Sequence, residues 1–126
     1  MSVDVIITEG PLPPATPARR EGAGGIVVFE GVVRLMEDGR SIAALEYTAY
    51  EPMAQKQIAT ICDQLVHRHG LVAMSVEHSR GRVAVGECSF RLTVWGRHRK
   101  EALAAADEFI DRLKADVPIW KKAVER

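Results

Sequence analysis

"SIAALEYTAYEPMAQKQIATICDQLVHRHG", residues 41–70, contains the change of period that decides the fold. Ser41 to Tyr50 reads as a strand. From Pro52 the spacing becomes helical: Met53, Ile58, Ile61, Cys62, Leu65 and Val66 fall on one face. Pro52 suits a first turn, where its missing N–H leaves no helical bond unmade. Gly70, directly after His-Arg-His, can take the left-handed conformation that closes a helix.

Upstream, Asp38-Gly39 in "MEDGR" is the strongest short hairpin signal in the chain. It predicts that Ile26 to Leu35, β-branched and apolar, returns as the partner strand Ser41 to Tyr50. Gly31 marks a bulge or a close approach within the first of these strands. Val3 to Thr8 is a short strand, and Gly10 to Gly25 a Pro/Gly/Ala loop that no helix could cross. Downstream, Leu71 to Ser79 alternates as a strand. "GRVAVGE" (81–87) reads as a turn with a short extended piece, and Cys88 to Gly96 alternates again. A second helix is expected from about Lys100 to Ala115, with Ala102, Leu103, Ala106, Phe109, Ile110, Leu113 and Val117 as its stripe. Pro118 ends it.

Strands and helices do not alternate strictly, which favours α+β over a doubly wound sheet. The expectation is a single domain over residues 1–126: a mixed, largely antiparallel sheet with two main helices. Residues 10–24 form its Pro/Gly-rich loop, and residues 114–126 a short functional tail.

The 126 residues suffice for one core, and the formal net charge is zero, so no global field recruits nucleic acid or membrane. No apolar run approaches the roughly 18 residues of a membrane span. The start, "MSVDVIITEG", has no secretory pattern. Cys62 and Cys88 lack metal or redox spacing and read as reduced thiols of a cytoplasmic protein. His67 and His69 do not share a helical face, so no metal pair is expected there. His78 reads as packed or hydrogen-bonded. Nucleotide-loop glycines, a serine nucleophile elbow and interleaved basic and aromatic residues are all missing. No metal and no cofactor are expected.

Cations gather where strands end and helices start or stop. Arg34 follows "FEGVV", His98 and Arg99 precede the last helix in "GRHRKEA", and Lys114 lies in that helix's last turn. Lys121 follows in "LKADVPIWKKAVER" (113–126). Taken singly, each is ordinary solvated surface. Jointly they suggest more. Ile119 and Trp120 would anchor the tail and Pro118 would stiffen it, so that Lys114 and Lys121 could flank one pocket. Free N–H groups at the helix start would help His98 and Arg99 hold phosphate.

"VVFEGVVR", "LEYTAYEPMA", "EHSRGRVAVGE", "GRHRKEA" and "LKADVPIWKK" follow one another in an order and spacing that resembles the large, catalytic subunit family of molybdopterin synthase. The resemblance runs from about Gly24 to Lys122. It implies an α+β enzyme that converts cyclic pyranopterin monophosphate into molybdopterin. The sulfur donor would be a small ubiquitin-like subunit whose C-terminal Gly-Gly ends in a thiocarboxylate. It implies a homodimer within a heterotetramer, Lys114 and Lys121 as catalytic residues, and Phe29, Arg34, His98 and Arg99 as substrate-binding residues. The chain departs from the family pattern at Ala123, where glutamate is usual, at Ser79, where arginine is common, and in a shorter C-terminal tail. A non-catalytic relative that binds a ubiquitin-like tail is the alternative class.

Overall fold

The computed structural model describes residues 2–126. The chain runs β1 (Val3–Glu9), β2 (Gly25–Val32), β3 (Met36–Glu37), β4 (Arg40–Ala49), α1 (Met53–His69), β5 (Ala73–Ala84), β6 (Cys88–Gly96), α2 (Arg99–Asp116) and β7 (Ile119–Glu125). The strands form one sheet in the order β2-β6-β5-β4-β3, with β1 added against β5 and β7 against β4. Among the described residues the β1–β5 pair is parallel, and the other pairs are antiparallel. This is the α+β architecture, with a mixed, largely antiparallel sheet and two helices, that the sequence predicts.

Both helices lie on one face of the sheet. Alternation along the strands turns Met74 and Val76 of β5 and Phe90, Leu92 and Val94 of β6 to that side. There they bury Ile58, Cys62 and Leu65 of α1 and Ala102, Ala105, Ala106 and Phe109 of α2. Burial and then Asp63 push the Cys62 thiol up to about 12, so it is inert. Cys88 is also a free thiol but only partly buried.

The opposite face of β6 carries Arg91, Thr93 and Trp95, and the 10–24 loop covers it. Trp95 Nε1 donates to the Ala18 carbonyl at 2.7 Å, and Arg91 donates to that of Pro13 at 2.7 Å. Arg91 is 3% exposed, as a guanidinium can be only when paired; Glu30 at 2.7 Å and Glu77 at 3.1 Å supply the charge. The loop is therefore a fixed lid on the sheet, and it buries β6 on both sides.

Four expectations change. The long hairpin shrinks to a two-rung pair, Met36 with Ser41 and Glu37 with Arg40, around a primed turn with Asp38 at φ 51 and Gly39 at φ 77. β2 instead pairs with β6. A register shift at Gly31/Val32, where an added Cβ would stand 3.3 Å from Phe90, ends that ladder and releases the chain before the turn. β5 runs on through "GRVA": Gly81 at φ 80 lets it bend and change partner to β4, where a turn was expected. The C-terminal segment is a strand, β7. On α2, residues 102, 105, 106 and 109 share the buried line, which leaves Leu103 exposed; Met53 of α1 is exposed as well.

Phe109 is fully buried, with its ring stacked on Phe90 at 6.2 Å between centroids. Phe109→Ala should cost about 3–5 kcal/mol in chemical denaturation; a loss below about 1 kcal/mol would refute its place at the centre of the core. Between the helices, Glu108 of α2 meets His69 at 3.0 Å and Arg68 at 2.5 Å. The His69 hydrogen bond, followed by the Arg68 charge, holds its carboxyl below the usual range. A depressed carboxylate stabilises fully above its ordinary range, and that contribution is lost as pH falls through the depressed value. Melting temperatures recorded from neutrality down through the carboxylate range should show Glu108→Gln losing less stability on acidification than the parent.

Candidate functional site

Where α2 ends, the helix layer no longer covers the sheet, and a cavity of about 530 Å³ opens. Phe29, Tyr47, His78 and Phe90 form its wall, and Arg34, Lys114 and Lys121 bring charge to it. Phe29 comes from β2, with its ring 6.0 Å from that of Phe90. Tyr47 meets His78 edge-on at 5.2 Å and shares a 2.9 Å hydroxyl hydrogen bond with Ser89.

Each cation has a local cause. Lys114 stands in the last turn of α2, where the negative end of the helix dipole favours a positive charge. It makes no ion pair or hydrogen bond among the described residues. Lys121 is delivered by strand register: β7 pairs antiparallel with β4, which sets Lys121 opposite Tyr47 and Lys122 opposite Glu46. Alternation then sends Lys122 to the other face, away from the cavity. Arg34 lies in the connection between β2 and β3. Glu37, little exposed, links two of the three, at 2.9 Å from Lys121 Nζ and 3.7 Å from Arg34. Three cations against one carboxylate leave the cavity two charges positive, which suits an anionic ligand.

The predicted tail anchor is corrected. Trp120 is 59% exposed and cannot pin the segment by burial. The β4–β7 ladder holds it, with Ile119 half-buried against the core. Trp120, Ile119 and Lys114 also border a second groove with Tyr50, Met53 and Pro118, so a path along the surface leads to the cavity.

Four of the six predicted residues thus meet: Phe29, Arg34, Lys114 and Lys121. His98 and Arg99 do not join them within one copy. They sit at the opposite end of α2, about 22 Å along the axis from Lys114, with His98 exposed and 3.2 Å from Glu101. Sequence reasoning passed over Glu37, Tyr47 and His78 as site residues. Glu37 carried no signal, because nothing in its spacing ties it to Lys121. His78 did carry one: in the alternation Met74, Val76, His78 it is a polar group in an apolar slot. Among the described residues no cluster of His, Cys, Asp and Glu could hold a metal ion, and no helix is long and apolar enough to cross a membrane.

The family model described as "MoaE protein" matches residues 7–116. A protein of Thermoplasma volcanium named molybdopterin synthase catalytic subunit is 40% identical over 123 residues, covering 95% of this chain and 90% of its own. Fungal and plant relatives of the same name are matched by this chain over about half their own length. The crystal structure of molybdopterin synthase from Staphylococcus aureus superposes with a TM-score of 0.82 at 34% identity, over 94% of this chain and 90% of that one. A chain in the complex of subunits 1 and 2 of molybdopterin-converting factor from Helicobacter pylori gives 0.73 at 25% identity, over 99% of this chain and 90% of that one. Sequence and fold agree over nearly the whole length, and the chain belongs to the MoaE family.

Proposed function

We propose that this chain is the catalytic subunit of a cytoplasmic molybdopterin synthase. It would transfer sulfur from the thiocarboxylated C-terminus of a small ubiquitin-like subunit to cyclic pyranopterin monophosphate, forming the dithiolene of molybdopterin. The observation that carries this reading is the convergence of Lys114 and Lys121 on one positively charged cavity with an aromatic wall. Substrate phosphate and donor thiocarboxylate are both anions. A preorganised cationic site stabilises them and the charge that develops as sulfur is transferred. Lys114, unpaired at the cavity edge, is the group that orients the attack or moves the proton; Lys121, held by Glu37, is its partner.

The donor tail reaches Lys114 along the groove of Tyr50, Met53 and Trp120. Two terminal glycines suit such a path because they need no room for Cβ. The chain acts as a homodimer within a heterotetramer. β2 is a sheet edge and itself carries the exposed Ile26, Val28 and Val32. Antiparallel pairing of two copies along β2 would set Gly25 of one opposite Val32 of the other. Gly25 adjoins the start of α2, since a Cβ on it would stand 3.4 Å from the Arg99 nitrogen. His98 and Arg99 of one copy would then flank Arg34 of the other and bind the substrate phosphate there.

Sulfur transfer reconstituted with thiocarboxylated small subunit tests the chemistry. Lys114→Arg keeps charge but presents a planar group that stays protonated, so it should lose nearly all turnover with fold and dimer intact. Lys121→Arg should lose less, and Lys122→Ala should change little. A fully active Lys114→Arg enzyme would refute the assignment.

Complementation tests the shared site. Lys114→Ala chains should be nearly inactive alone and Arg99→Ala chains weak at substrate well below saturation, and at that concentration a mixed dimer should recover activity, because one of its two sites draws both intact residues from different copies. No recovery in verified mixed dimers would place His98 and Arg99 outside the site.

A further inference from the structure

His78 stands where the helix-covered register of β5 opens into the cavity. Two residues earlier in that register is Val76, two before that Met74, and both are fully buried in the core. A third apolar residue would continue the pattern, yet the position holds an imidazole that is itself 6% exposed. The ring is fixed on three sides: edge-on to Tyr47 at 5.2 Å, tilted on Phe90 at 5.8 Å, and tied by Nδ1 to the Ser79 carbonyl at 2.8 Å. A carbonyl can only accept, so Nδ1 carries the hydrogen and Nε2 is left with a lone pair. Nε2 has no partner among the described residues, while the ring lines the cavity. A polar atom held this rigidly, unpaired within the protein and open to the cavity, is placed to take a donor from a bound ligand.

We propose that His78 is a substrate-contacting residue whose Nε2 accepts a hydrogen bond from an N–H or O–H group on the edge of a planar heterocycle bound between the aromatic wall and the three cations. The inference rests on this cavity being the substrate site. It divides the labour within it. The cations hold the anionic groups, whereas His78 reads the uncharged ring and sets which edge faces Lys114. The groups around the imidazole favour this protonation state. Burial lowers its pKa, partly offset by the Ser79 bond; the charged groups that share the cavity with it are Arg34, Lys114, Lys121 and Glu37.

Three substitutions separate this role from packing. His78→Phe keeps a ring against Tyr47 and Phe90. His78→Asn keeps a donor for the Ser79 carbonyl but loses the far acceptor. His78→Gln keeps an acceptor near the Nε2 position. Titration calorimetry with cyclic pyranopterin monophosphate should give affinities weakened roughly 3- to 10-fold for the Phe and Asn variants, with much of that regained in the Gln variant. Turnover at saturating substrate should also fall in the Phe and Asn variants, because the bound ring is no longer held with one edge toward Lys114, and should recover in the Gln variant. As pH is lowered below the ordinary histidine range, affinity of the parent should also fall as Nε2 becomes protonated, and His78→Phe should lack that step. Parent-like affinity in folded Phe and Asn variants would overturn the inference and leave the functional reading intact. A parent protein that does not bind the pterin would overturn both.

Discussion

The structure depends on the double use of β5. Its first half lies between β6 and β1 and forms the floor beneath both helices. Past Gly81 the same strand pairs with β4, which in turn carries β3 and β7. One continuous backbone thus ties the helix-covered core to the smaller group of strands that brings in Lys121. Only a residue free to adopt positive φ allows a strand to bend there and keep hydrogen bonding on both sides. Arg80, just before the bend, reaches Glu9 at 3.3 Å and Glu51 at 3.2 Å, so charges from β1 and the start of α1 brace the junction.

The cavity is a consequence of that junction. Helix α2 runs out at Asp116 while the sheet continues, so Phe90 and His78, though buried, border a cavity at the point where β7 turns back. The resulting site has one apolar, aromatic side and one cationic side. The three cations are all exposed, so water and salt screen them, and their pull on an arriving anion weakens as ionic strength rises. They also repel one another, and Glu37 relieves this by holding Lys121 and approaching Arg34. Lys114 has no such counterion and relies on the end of the α2 dipole. The two lysines therefore differ in environment although they share a cavity.

The same sheet leaves β2 as an edge. Edge strands with exposed apolar side chains invite pairing, and this one carries no proline and no lysine to discourage it. The separation of His98 and Arg99 from Lys114 is fixed by the rigid length of α2. No side-chain motion spans it, which is why a second copy enters the functional reading at all.

Sequence alone determined the elements whose signals are local. The helical period after Pro52, the left-handed closure at Gly70, the Asp38-Gly39 turn, the Gly31 irregularity and the α+β order all follow from backbone preference and side-chain periodicity, and all occur in the structure. The ordered motifs also identified the family, along with Phe29, Arg34, Lys114 and Lys121 as candidates for one site. Pairing was a different matter. Which strand β2 joins, how far β5 extends and whether the tail forms β7 depend on partners distant in sequence, and the local pattern is the same for every choice. Trp120 illustrates the limit: composition suggests a buried anchor, but the β4–β7 ladder holds the segment and leaves the ring outside. Glu37 became visible as a site residue only in three dimensions, and His78, a polar group in an apolar slot, took on a site role only there. Their significance lies in a 2.9 Å contact to Lys121 and an unpaired nitrogen facing a cavity, and both are created by chain segments that meet only when the sheet closes.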